Sequence, residues 1–193
     1  DLYDSDEIDM PDNVLNYEQA DAFSQRLMNG IEASTVSVTE EEIRNARHAY
    51  YANTSYFDHK IGELIETLDA TGQLENTIVI VTADHGDMLG ERGLWYKMNF
   101  FEHSARVPLV MAGPDIPPIN IPNVCSLVDL LPTLLDIAAI DGRQKPQLGQ
   151  PVDGCSLLAI AHGNQDSKDE VIGEYCAEMT AYPVFMIRRG RYK

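Results

Sequence analysis

The chain has 193 residues, 44% of them hydrophobic, enough to bury a substantial core and form one domain or most of one. Its formal net charge of −17, from 14 Lys and Arg against 31 Asp and Glu, leaves no basic face for phosphates and argues against nucleic acid as a partner. No apolar run is long enough to span a membrane, and Cys125, Cys155 and Cys176 are widely spaced with no C-x-x-C pair, which speaks against structural zinc or a disulfide framework. Buried free thiols in a reducing compartment, and with them a cytoplasmic location, are the expectation.

The opening "DLYDSDEIDMPDN" has neither an initiating Met nor a leader-like pattern, and the chain reads as an excerpt of a longer protein. Residues 1–38 are weakly periodic and broken by Pro11 and Gly30, which predicts loop with a short helix near 17–28. The acidic runs at Asp1 to Asp12 and Glu40 to Glu42, and the basic run Arg188 to Lys193, read as solvated faces. Thr39 followed three residues later by Glu42 forms a capping box. Phe57, Ile61, Leu64, Ile65 and Leu68 then recur at helical spacing up to Gly72, where the helix should stop.

"NTIVIVTAD" is a short, continuous, β-branched run, the pattern of a strand buried on both faces in a parallel sheet. Within this chain alone the apolar faces of Ile78 to Val81 are expected to lack partner strands. "VPLVMAG" (107–113) repeats the pattern, and "DLLPTLLDIAAI" (129–140) reads as a helix capped by Asp129 with Pro132 in its first turn. Residues 141–154 read as loop, and "EVIGEY" with "PVFMIRRGRYK" as two strands that can pair as one hairpin. Helix, buried strand, connection, buried strand, helix defines an α/β class.

In an open α/β sheet ligands bind beyond the carboxyl ends of the strands. Asp84 and His85 fall at such an end, with Gly86 expected to permit an unusual turn that lets both side chains converge. A carboxylate oxygen beside an imidazole nitrogen makes half of a divalent metal site. Lys97, after the glycine-containing "GDMLGERGLWY", would reach toward an anion near that metal. Taken alone, Asp-His-Gly is equally compatible with a capped strand-end turn.

"TADHGDMLGERGLWYKMNFFEHSARVPLVMAGP" resembles the second signature region of the sulfatase family, in the alkaline phosphatase superfamily, and in detail the choline sulfatase version of it. "YYANTSYFDHKIGELIETLDATG" and "SLVDLLPTLLDIA" resemble the helices before and after that region, and "MIRRGRYK" the segment that opens the C-terminal part. The resemblance implies an alkaline phosphatase-like α/β sandwich with a mostly parallel central sheet. Residues 1–160 would belong to its catalytic domain and 161–193 would begin a smaller C-terminal subdomain.

Carried over position by position, the resemblance makes Asp84 and His85 metal ligands and Lys97 the catalytic, sulfate-contacting lysine. It implies one divalent ion, calcium for an oxygen-rich ligand set, with manganese or magnesium as alternatives. The family nucleophile is a formylglycine made from Cys (or Ser) in a C-x-P-S-R context, which is absent here: Cys125 precedes Ser-Leu-Val, Cys155 Ser-Leu-Leu and Cys176 Ala-Glu-Met. The nucleophile and the family's N-terminal aspartate ligands are therefore expected upstream of residue 1, and the fragment alone is expected to be inactive. The implied reaction is hydrolysis of choline sulfate to choline and sulfate, with a small-molecule sulfate ester as partner and a homo-oligomeric full-length protein. Glu174 is the candidate for the cationic head of that substrate, with Tyr175, Glu178 and Tyr182 around it; His103 is read as lying beside the site rather than as a ligand. Two alternatives stand: an arylsulfatase or phosphonate/phosphodiester hydrolase of the same superfamily, and a non-catalytic interaction module.

Overall fold

The computed structural model describes residues 2–33, 35–142, 144–146, 148–164, 166–180 and 182–193; Asp1 of the acidic opening and two positions of the 141–154 loop lie outside the described residues. In chain order the elements are α1 (Ala22–Gly30), α2 (Glu40–Ala70), β1 (Val79–Thr82), α3 (Glu102–Ala105), β2 (Leu109–Ala112), α4 (Leu130–Ile137), α5 (Leu157–Ala161), β3 (Glu170–Tyr175) and β4 (Val184–Arg189). β1 pairs with β2 and β3 with β4, each pair forming a two-stranded sheet. The chain divides into two compact units: Asp1–Thr77, Val81–Leu109 and Tyr175–Val184 form the first, and Ile78–Ile80, Val110–Glu174 and Phe185–Lys193 the second.

In the first unit α1 starts where Asp21 accepts the amides of Phe23 and Ser24, each at 3.0 Å. Its Leu27 and Met28 pack with Ala20, Met88, Leu94 and Met98 into the buried core. Half of that core comes from the polar-looking stretch after Gly86. Met88 and Leu94 are essentially inaccessible to solvent, and burial of a Leu or Met side chain contributes roughly 1.5–3 kcal/mol. α2 has the expected capping box: Glu42 N–H donates to Thr39 Oγ1 (3.2 Å) and Thr39 N–H to Glu42 Oε2 (2.8 Å). It ends at Thr71, and Gly72 follows with φ 66°. Its apolar stripe is little covered: Ile61, Ile65 and Leu68 are half-buried, Phe57 and Leu64 exposed, and Arg47 is the one buried residue of the helix.

The run Ile78 to Val81, read as buried on both faces, is half-buried throughout, and β2 alternates between half-buried and exposed. Two strands cannot cover both faces of their own sheet.

In the second unit the cap of the 127–137 helical segment is Ser126 rather than Asp129. Ser126 caps the 3-10 turn Leu127–Asp129 that runs into α4, and Asp129 completes its capping box. The Asp129 carboxylate accepts the amides of Ser126 (2.8 Å) and Cys155 (2.7 Å). Pro132 and Thr133 are the buried residues of α4, and Thr133 Oγ1 donates to Asp129 C=O (2.6 Å) while accepting Leu157 N–H (2.8 Å), which ties α5 to α4. The cysteines are free but not buried as expected: Cys125 and Cys176 are exposed and Cys155 intermediate, because they lie on connections between elements. Even so, local desolvation of its thiol, with the charge of Asp129, raises the pKa of Cys125. No helix among the described residues is long and apolar enough to cross a membrane.

Candidate active site

Asp84 and His85 lie two and three residues beyond the end of β1, in the first unit. His85 N–H donates to Asp84 Oδ1 at 3.0 Å, which turns Oδ2 toward the ring, and Oδ2 and His85 Nε2 are 3.5 Å apart. His85 Nδ1 lies 2.8 Å from the carbonyl oxygen of Gly86. A carbonyl only accepts, so Nδ1 carries the proton and Nε2 is the atom presented to the carboxylate. Two lone-pair groups facing each other are satisfied by a shared cation. Donors about 2.3–2.6 Å from one ion and at a right angle to each other are separated by about 3.5 Å, so the pair fits two neighbouring ligand positions. Among the described residues no group of three or more His, Cys, Asp and Glu side chains is placed to hold an ion, and Asp84 and His85 form a pair only. The Asp84 side chain is 85% exposed and that of His85 37%, which leaves the pair open to further ligands.

Gly86 is required for a reason other than the expected backbone freedom: it is not among the positive-φ residues. A Cβ at Gly86 would lie 2.0 Å from the carbonyl oxygen of His103, and Gly86 N–H donates to the carbonyl of Ser104 at 2.7 Å. The turn is therefore pressed, backbone to backbone, against residues 103–104.

The stretch between Gly86 and Lys97 is a closed, packed loop. Met88 N–H donates to Tyr96 C=O (2.8 Å) and Gly90 N–H to Leu94 C=O (2.9 Å). Gly93 sits at φ 70°, and a Cβ there would come within 2.4 Å of the Leu15 carbonyl oxygen. Between them Glu91 is 3% exposed, and its carboxylate accepts the amides of Asp12 (3.1 Å) and Asn13 (3.4 Å) with Arg47 Nη1 at 3.7 Å. Arg47 also donates to Leu89 C=O at 3.2 Å and pairs with Asp9. Arg92 stacks on Phe101, its guanidinium carbon 4.4 Å from the ring centre.

Lys97 is exposed, with no ion pair for its ammonium among the described residues. Its backbone carbonyl accepts Ser104 Oγ–H at 2.9 Å, so the residue bound to the Gly86 turn also holds the lysine segment. His103 is more than half exposed, with Nε2 3.9 Å from Glu91 Oε1. Glu174 lies on the exposed side of β3, in the second unit. Tyr175 packs against the first unit's core and donates to Glu178 C=O at 3.2 Å, while Tyr182 is 76% exposed. Burial, and then the charge of Glu178, raise the Tyr175 pKa.

Sequence reasoning assigned nothing to Ser104, Glu91 or Arg47. The available signals were a serine inside the resembling stretch "FFEHSARVPL", and an arginine among the apolar positions of α2.

The chain is an α/β protein with a carboxylate–imidazole pair just beyond a strand end, and its fold is that of the alkaline phosphatase superfamily. Residues 12–140 match the sulfatase family profile, and the chain belongs to the sulfatase family. It is 44% identical over 195 residues to a choline-sulfatase of Rhizobium meliloti (strain 1021), an alignment covering all of this chain and 37% of that protein. Human arylsulfatase K is 44% identical over 124 residues, covering 64% of this chain and 22% of that protein. Among solved structures it is similar to a phosphonate monoester hydrolase from Silicibacter pomeroyi (26% identity, TM-score 0.79, 98% of this chain and 42% of that one). A 2-O GAG sulfatase is also similar (26% identity, TM-score 0.75, 95% and 41%). The chain thus spans less than half the length of these relatives.

Proposed function

We propose that the protein hydrolyses sulfate esters, choline sulfate first among them, and that Asp84, His85 and Lys97 are this chain's contribution to the active site. One observation carries the reading: Asp84 Oδ2 and His85 Nε2 face each other at 3.5 Å, with the ring proton directed to Gly86 C=O. The 44% identity to a choline-sulfatase along the whole chain supports choline sulfate over aryl sulfates and phosphonate monoesters.

Sulfatases work with a metal ion and a formylglycine, and a divalent ion when bound draws charge from the sulfuryl oxygens. Asp84 Oδ2 and His85 Nε2 would hold it, and calcium suits the carboxylate better than zinc, with manganese and magnesium next. His85 stays neutral as a ligand while Nδ1–H remains on Gly86 C=O, which holds the ring plane in place. Lys97 Nζ binds and orients the sulfate and offsets negative charge as the ester bond breaks. The protein is further proposed to be a cytoplasmic homo-oligomer, with residues 1–160 in the catalytic domain and 161–193 opening a smaller subdomain.

The test is sulfate release by the full-length protein from choline sulfate and an aryl sulfate, and turnover of a phosphonate monoester beside them. The highest kcat/KM is expected on choline sulfate, and Asp84→Asn should lower bound metal sharply because a neutral amide is a weak ligand for a hard cation. Faster turnover of the phosphonate monoester would overturn the substrate reading, and full metal content in Asp84→Asn the ligand reading.

A further inference from the structure

The two limbs of the proposed site, the Asp84–His85–Gly86 turn and the Lys97 segment, are separated along the chain by the packed 88–96 loop. A single buried residue, Ser104, is bonded to both. Its carbonyl accepts Gly86 N–H at 2.7 Å, one peptide unit from His85. Its hydroxyl donates to the carbonyl of Lys97 at 2.9 Å and is shared with that of Asn99 at 3.1 Å. From the imidazole-bearing residue to the lysine there are thus only two hydrogen bonds and one serine.

The link is short and stiff for physical reasons. Ser104 is 3% exposed, so water cannot replace its hydroxyl at the two carbonyls, and an unmade bond there would leave buried acceptors unsatisfied. The turn cannot slide on residues 103–104, because Gly86 already stands in backbone contact with the His103 carbonyl. The segment beyond Lys97 is anchored on the other side by Met98, which lies in the core, and by Asn99, whose Oδ1 accepts Phe101 N–H at 2.8 Å. The lysine side chain itself is exposed and flexible, so its mean position depends on where this carbonyl is held.

We infer that Ser104 is a positioning residue that sets the Lys97 ammonium relative to the cation site of Asp84 and His85, and so tunes affinity for a sulfate-sized anion without touching it. This rests on the roles of Asp84, His85 and Lys97 proposed above.

The test is a double-mutant cycle in the full-length protein, read as affinity for inorganic sulfate in the presence of calcium or manganese, with affinity for the metal measured separately. Ser104→Ala should weaken sulfate binding about tenfold in the parent. It should leave metal affinity within about twofold and have little effect in a Lys97→Ala background. Ser104→Cys, a weaker donor of similar size, should fall between parent and Ser104→Ala, and serves if the alanine variant does not fold. Equal losses with and without Lys97, or no loss, would show that Ser104 only packs the loop and would overturn the inference alone. A parent protein that binds metal but no sulfate would overturn the role of Lys97, and this inference with it.

Discussion

In Gly86→Ala the added methyl group would sit 2.0 Å from the carbonyl oxygen of His103, and it must retreat by more than an ångström to reach ordinary van der Waals contact. Both walls of this contact are backbone, so no rotamer change relieves it. The relief available is to part residues 86 and 103–104, which breaks the 2.7 Å bond from Gly86 N–H to Ser104 C=O. Overpacking of this kind costs about 1–3 kcal/mol and a lost hydrogen bond about 1 kcal/mol, so the variant should be about 2–4 kcal/mol less stable. For a domain of about 150–250 residues that is a fall in Tm of roughly 5–15 °C. Because the His85 ring is bonded to the Gly86 carbonyl, the same movement should turn the imidazole, and affinity for calcium or manganese should fall as well. Gly62→Ala is the control: Gly62 lies inside α2, and a methyl group there would meet nothing within 4 Å. Alanine at this position should stabilise by about 0.5–1 kcal/mol. Urea unfolding and calorimetric metal titration on both variants check the argument. A Gly86→Ala protein as stable as the parent, or equal losses in both variants, would refute it.

Lys97→Ala should lower kcat/KM on sulfate esters by at least about 10²-fold with metal content unchanged, measured by sulfate release and elemental analysis of the same samples. Thr133→Val removes the hydroxyl that serves both Asp129 C=O and Leu157 N–H at a fully buried position, and should cost about 1–3 kcal/mol in urea unfolding. Stability should fall in acid. The Asp9 carboxyl is held below its ordinary pKa by the Tyr51 hydroxyl and then by Arg47, and that of Asp21, despite desolvation that raises it, by Ser24 and the helix amides. Groups with depressed folded-state pKa values stabilise fully above their unfolded values and lose that contribution as pH falls through the folded ones, so the loss should begin below about pH 4. Asp9→Asn should flatten that acid limb of the unfolding midpoint plotted against pH, and an unchanged profile would exclude Asp9.

Local signals decided much of this chain from sequence alone. The capping box at Thr39, the stop at Gly72, the β-branched run at Val79 to Thr82 and the strands at Glu170 and Val184 are written in residue type and period, because propensity, capping and alternation act over a few neighbours. Asp84 and His85 stood out as a candidate pair for the same reason: a polar pair ending an apolar strand is visible within a dozen letters. Tertiary structure alone decided what holds them. Gly86 looked like a residue chosen for an unusual turn, yet its role comes from the His103 carbonyl, a later stretch of chain pressed against it. The stretch 87–98 carries glycines and charges, and it is tertiary packing that brings its Met88, Leu94 and Met98 against Leu27 and Met28 of α1 in the core. Glu91 reads as one more surface acid, and becomes a buried strut only because Asp12, Asn13 and Arg47 arrive around it from elsewhere. Burial and hydrogen-bond partnership are properties of chain segments brought together in space, and a one-dimensional pattern carries only the part of them that falls within a helix turn or a strand.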